Sequence, residues 1–250
     1  MDYRYLNPPA ELPANVLHCT FFSRLANHEV GFCVYLPPDY ASSQDSYPVV
    51  YHLHGYQNHE STELSALDGV LRSRRAVTVF PNYSLPVEDW EHFPLEAYLL
   101  EEVIPHVESR FRVLTAREGR SLSGFSMGGG LAFCFAVRHP ELFSGVTAYA
   151  GTYHHYFDQG FLTVDAPVER AEALRRIILE NKSPSERNVL HLLNRQADHI
   201  RGKLAIELRV GTKDILYCDN EIAHLHLCGL QIPHTYEVIE GAAHELRRIV

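Results

Sequence analysis

Gly124-Phe125-Ser126-Met127-Gly128 has the form G-x-S-x-G. It follows a strand-like run, RSLSGF, and opens an apolar helix-like run, MGGGLAFCFAV. A sharp strand-to-helix turn holds its central serine in a strained backbone and needs small neighbours, which Gly124 and Gly128 supply. The helix start beyond it aims backbone N–H groups and a positive dipole end at the serine oxygen. The bland reading is a glycine-rich turn with a capping serine, and the flanking strand and helix argue against it.

A serine hydroxyl is a weak nucleophile at neutral pH, so it requires a base, and the base requires an orienting acid. After an elbow of this kind the acid comes next in the chain and the histidine last. Asp214 ends the turn GTKD after the strand-like run LAIELRV, where a strand end presents a side chain. Asp219 falls in the following helix and is a poorer candidate. His244 follows the run TYEVIE in the small-residue loop GAAH. With 16 histidines any single one is usually incidental. His224 and His226 fit a helix and His234 a strand start, so His244 is the expected base. Two oxyanion donors are expected: the Met127 N–H, and the Tyr56 N–H in the loop His54-Gly55-Tyr56 after YPVVYHLH. Together these groups predict two-step acyl transfer through a serine-bound acyl intermediate.

The elements that must position them alternate. Residues 16–24 and 30–36 read as an antiparallel hairpin after a proline-rich irregular arm. Strands are expected at 47–54, 76–80, 120–125, 143–150, 204–210 and 234–239. Helices are expected at 60–73, 94–110 (with Pro105 kinking it), 127–139 and 215–229. Such alternation predicts an α/β fold with a mostly parallel sheet, helices on both faces and an antiparallel start. Residues 152–203 interrupt it with aromatics, histidines and two expected helices, from 166 to 180 and from 184 to 199. An insertion there reads as a cap over the strand ends within one domain spanning 1–250.

The bulk numbers bound the function. The chain has 250 residues, 46% apolar and 21% charged, with a formal net charge of −9. No basic block exists, which argues against a nucleic-acid partner. No apolar stretch approaches a membrane span, and MDYRYLNPPAELP lacks the apolar core of a secretory signal, so a cytoplasmic protein is expected. The five cysteines are odd in number and without a CxxC pair, and they read as free thiols. No HExxH or spaced His/Cys set stands out, so neither a metal nor a cofactor is expected. The sequence leaves a homodimer open.

YPVVYHLHGY, VFPNYSLPVEDW, EVIPHVESRF, GRSLSGFSMGGGLAF, RHPELFSGVTAYAG, LRVGTKD and EGAAHEL together resemble the esterase D-like branch of the α/β hydrolases, over roughly residues 30–246. That branch includes S-formylglutathione hydrolases, feruloyl and acetyl-xylan esterases, siderophore esterases and mycolyltransferases. The resemblance implies an α/β-hydrolase fold, a serine esterase acting on a small or medium ester, and Ser126, Asp214 and His244 as its triad. It implies Tyr56 and Met127 as oxyanion donors. His54, Gly55, Tyr153 and His154 are further candidate substrate contacts, core packing explains Tyr153 equally well, and the resemblance adds Trp90. An acyltransferase or thioesterase using the same triad, or a binding protein of this fold that has lost catalysis, are the alternatives.

Overall fold

The computed structural model describes residues 4–87, 93–153 and 189–250. Its strands are β1 (Val16–Ser23), β2 (His28–Tyr35), β3 (Val49–Leu53), β4 (Val77–Pro81), β5 (Arg120–Phe125), β6 (Gly145–Tyr149), β7 (Ala205–Gly211) and β8 (Thr235–Ile239). They form one sheet in the order β1-β2-β4-β3-β5-β6-β7-β8. The hairpin β1–β2 is antiparallel from Val16↔Tyr35 to Ser23↔His28, and β2 joins β4 antiparallel. From β4 through β3 to β8 every pairing is parallel. The central strands β3, β4 and β6 are buried along their whole length, as a parallel sheet covered on both faces requires.

Alternate side chains of β5 divide between two cores. Leu122 packs with Phe133, Phe143, Val146 and Leu208 on one face. Phe125 packs on the other with Tyr149, Val210, Leu71, Leu246 and Ile249. Phe133 and Phe143 are fully buried, and each ring contributes about 2–3 kcal/mol of transfer free energy.

Three differences from the sequence reading have physical causes. The helix expected over 60–73 is helical only at Asp68–Ser73. Residues 60–67 form turns instead, because Glu60 and Glu63 point inward to satisfy buried donors. Pro105 does not simply kink its helix. A π-helical turn, Tyr98–Val103, precedes Ile104–Arg110. Pro105 lacks the N–H that would bond to the Glu101 carbonyl and its ring crowds that carbonyl, so the widened turn absorbs both effects. The irregular arm is stitched to the sheet: Gly31 N–H donates to Tyr5 O at 2.8 Å, and Asn82 Nδ2 donates to Arg4 O at 2.8 Å.

The helix Val189–Ile200 buries Val189, Leu192, Leu193 and Ile200 in the larger core. This closing part of the interlude is a layer of the main body. The expected helix at 166–180, with all of the proposed cap from 154 to 188, lies outside the described residues.

Glu102 secures the hairpin turn. Its carboxylate, 8% exposed, accepts hydrogen bonds from Ser23 Oγ at 2.6 Å, Arg24 N at 2.9 Å and Leu25 N at 3.2 Å. Glu102→Ala leaves these donors short of a partner and should cost about 2–3 kcal/mol of unfolding free energy in urea titration, whereas Arg24→Ala, whose side chain is exposed, should cost less than about 1 kcal/mol.

Candidate active site

The turn between β5 and the helix Met127–Arg138 places Ser126 at φ 56° and ψ −121°. That conformation is costly for a residue with a Cβ and persists only when its surroundings fix it. Ser126 N–H donates to Tyr149 O at 2.9 Å, and Ser126 O accepts from Gly130 N at 3.1 Å and Thr152 N at 3.0 Å. A Cβ on Gly124 would lie 2.3 Å from Gly128 O, and one on Gly128 would lie 2.0 Å from Leu53 O. The two glycines therefore let the helix start press against both β5 and the end of β3.

Asp214 and His244 come from the ends of β7 and β8. Thr212 N bonds Ile239 O at 3.0 Å, Lys213 N bonds Ala242 O at 2.9 Å, and Gly241 N bonds Thr212 Oγ1 at 2.8 Å. Gly241, at φ 71°, makes the bend that returns the chain toward the sheet edge. The His244 Nε2 then stands 2.9 Å from Ser126 Oγ, and its Nδ1 stands 2.9 Å from both Asp214 carboxylate oxygens. Asp214 Oδ1 also accepts from Leu216 N at 2.7 Å. The Asp214 side chain is fully buried and that of His244 is 25% exposed. With Nδ1–H donated to the carboxylate, Nε2 is left to accept the serine proton. The poorer candidate, Asp219, is buried elsewhere and accepts from Tyr153 N at 2.5 Å.

The loop after β3 lies beside this relay. A Cβ on Gly55 would lie 3.2 Å from Phe125, whose ring stacks on His244 with centroids 4.7 Å apart. The side chain of Tyr56 is exposed. Met127 is the first residue of its helix, so its N–H lies in the first turn, outside the intrahelical ladder.

His54 and Tyr153 differ from the direct substrate contacts expected of them. His54, 2% exposed, stacks on Tyr83 with centroids 4.0 Å apart. Its Nδ1–H donates to Gly55 O at 2.9 Å, its Nε2 accepts from Tyr83 N at 3.4 Å, and the Tyr83 hydroxyl donates to the His54 carbonyl. Tyr153 is fully buried against Phe133. Both rings are taken up by packing inside the protein. Trp90 and His154 lie outside the described residues.

Sequence reasoning missed a buried Glu63–His52–Ser123 chain. Glu63 Oε1 accepts from Gly55 N at 2.9 Å and Asn58 Nδ2 at 2.7 Å. Glu63 Oε2 accepts from His52 Nε2 at 2.7 Å, and His52 Nδ1 pairs with Ser123 Oγ at 2.8 Å. Burial alone would raise the Glu63 carboxyl, but the hydrogen bond and electrostatic pull of His52, with the Gly55 N–H, hold it below the usual carboxylate range. The available signal was a polar residue at an inward position of each of two strands, His52 in VVYHL and Ser123 in RSLSGF.

The strand order, the serine elbow and the Ser–His–Asp convergence at the carboxyl edge of the parallel strands define an α/β hydrolase. The chain belongs to the family described as "Putative esterase", whose model matches residues 23–226. It is 23% identical to "Esterase Rv1288" of Mycobacterium tuberculosis, over 79% of this chain and 52% of that protein. The chain thus spans about half the length of that curated relative. Among solved structures it is similar to a ferulic acid esterase, with a TM-score of 0.72 and 23% identity over 93% of this chain and 92% of the other. It is also similar to an S-formylglutathione hydrolase from Staphylococcus aureus, with a TM-score of 0.74 and 18% identity over 92% of each chain.

Complete burial lowers the His54 pKa to about 4. The unfolded chain, with histidine near its ordinary value of about 6.5, therefore binds the extra proton first as pH falls. This contribution to stability is intact above pH 6.5 and is lost progressively toward pH 4, by on the order of 3 kcal/mol. Urea unfolding across that window should show the decline, and His54→Gln should flatten its slope whatever it does to the plateau.

Proposed function

We propose that the protein hydrolyses carboxylic esters of a small or medium organic acid or alcohol through an acyl-enzyme on Ser126. The observation that carries this reading is the unbroken relay from Ser126 Oγ through His244 to Asp214, at 2.9 Å on each side of the ring. His244 takes the serine proton as Oγ attacks the ester carbonyl. Asp214 fixes the imidazole tautomer and stabilises the imidazolium. The N–H groups of Met127 and Tyr56 receive the oxyanion, and each such donor is worth about 3 kcal/mol of barrier. His244 then gives its proton to the departing alcohol, and water attacks the acyl-serine by the same steps in reverse.

The family description and the printed names of the relatives support ester cleavage. Among the described residues no helix is long and apolar enough to cross a membrane. All five cysteines are free thiols, which favours a reducing compartment, and we place the protein in the cytoplasm on that ground.

Ser126→Ala should reduce turnover of a nitrophenyl ester by about 10³-fold or more while leaving the urea midpoint within about 1 kcal/mol of the parent. A fluorophosphonate probe should label the parent once, at Ser126. An active Ser126→Ala protein, or a parent that no fluorophosphonate labels, defeats the assignment.

Glu63 offers a separate test of the oxyanion loop. Glu63→Ala frees Gly55 N–H and should lower kcat about 10- to 100-fold with a smaller change in KM, since a misplaced oxyanion donor matters most in the transition state. Glu63→Gln keeps an acceptor for Gly55 and should recover most of the loss. Equal kcat in all three proteins would show that the buried chain does not position the loop.

A further inference from the structure

A second cluster of reactive side chains lies at the opposite end of the sheet. His224 and Cys228 sit one turn apart on the helix Tyr217–Gly229, and His234 immediately precedes β8. His224, Cys228 and His234 each offer one ligand atom, and these atoms lie within 4.8 Å of one another. His224 Nδ1 stands 2.8 Å from His234 Nε2, and Cys228 Sγ stands 3.9 Å from His224 Nδ1. We propose that His224, Cys228 and His234 form a binding site for a soft divalent transition metal, with Zn²⁺ as the natural fit and water as the fourth ligand.

The distances suit a tetrahedral ion. Zinc–nitrogen bonds of about 2.0–2.1 Å and a zinc–sulfur bond of about 2.3 Å place two nitrogens about 3.3 Å apart, and nitrogen and sulfur about 3.6 Å apart. Movements of less than about 1 Å convert the present 2.8 Å and 3.9 Å separations into those values.

A second observation concerns orientation. His234 Nδ1–H donates to Ile232 O at 2.8 Å, which leaves Nε2 as a lone pair aimed at the cluster. Backbone carbonyls commonly fix the tautomer of metal-bound histidines in this way. The His224 ring stacks on Tyr236 with centroids 4.3 Å apart, and the Tyr236 hydroxyl donates to Glu221 Oε1 at 2.6 Å. Both imidazoles are thus held before any ion arrives.

The Glu221 carboxylate, held by the Tyr236 hydroxyl beside the His224 ring, adds attraction for a positive ion. Binding displaces the proton shared between the two rings, which moves to His224 Nε2. It also releases the Cys228 thiol proton to water, so the ion gains two imidazole bonds and one thiolate bond. Cys228 is exposed and both histidines are half-buried, which gives the ion a path in and room for a water ligand. The length of β8, about 16 Å, separates this site from the His244 loop, so it is independent of the relay at Ser126.

The test uses the full chain, stripped with a chelator and titrated with Zn²⁺ against a chromogenic competitor. One equivalent should bind per chain. His234→Ala and Cys228→Ser should each weaken that binding at least tenfold, with near-ultraviolet circular dichroism showing that both variants fold. Co²⁺ in the parent should give a thiolate-to-metal charge-transfer band that Cys228→Ser abolishes. This band decides the question even if the histidine variant fails to fold. Absence of a stoichiometric ion and of the cobalt band in the parent, or binding undiminished in both variants, overturns the proposal.

Discussion

Everything at the catalytic edge depends on the left-handed backbone of Ser126. The strain at φ 56° is held by three hydrogen bonds, one to β6, one within the helix and one to the segment that follows β6. Only a serine on so tight a turn lifts its hydroxyl clear of the sheet edge. The same turn brings the helix start against Leu53 O. Ser126 and the loop after β3 are thus set by one packing contact. A side chain on Gly128 would force the helix start away from the end of β3.

The parallel pairing of β5 through β8 does the rest. Parallel strands end on one edge, so residues 88 and 118 positions apart in the chain need only short loops to meet there. Asp214 follows β7, His244 follows β8, and the cross-links between their loops involve Thr212, Lys213, Gly241 and Ala242. This part of the site was legible in the sequence, because strand–loop–reactive residue is a local pattern that recurs three times with glycine beside it. The sheet and its leading hairpin were legible for the same reason. What could not be read was long-range and polar. Glu63 looks like a surface residue of an amphipathic helix until Gly55, Asn58 and His52 converge on it. The π-helical turn before Pro105 and the docking of the arm on Gly31 and Asn82 also depend on partners far away in the chain. The spacing His224, Cys228, His234 matches no familiar metal motif, because its third member arrives from a different element.

The histidines show how environment divides one residue type among different tasks. His244 is a quarter exposed and is gripped at Nδ1 by Asp214. His54 is sealed between Tyr83 and Gly55, and burial keeps it neutral, which suits a ring whose work is to hold a loop. His52 spans two strands inside the protein, between Ser123 and Glu63. The helix-borne His224 looks poor as a catalytic base and well placed as a ligand. Composition gives none of these distinctions, since they arise from what each ring nitrogen meets after folding.

The burial of Asp214 sharpens the same point. A carboxylate with no exposed side-chain surface loses most of its hydration, and among the described residues only His244 Nδ1 and Leu216 N lie within hydrogen-bonding distance of it. Neutral imidazole compensates that charge only in part, through one polarised N–H. In the proposed reaction, His244 accepts the Ser126 proton and a full positive charge then stands 2.9 Å from both carboxylate oxygens, in a setting where water screens little. The buried acid is therefore better matched to the state in which the serine has lost its proton than to the resting state. In that proposed reaction the cost of burying Asp214 is recovered at the point where charge separates, and an equally close but solvent-exposed carboxylate would recover much less.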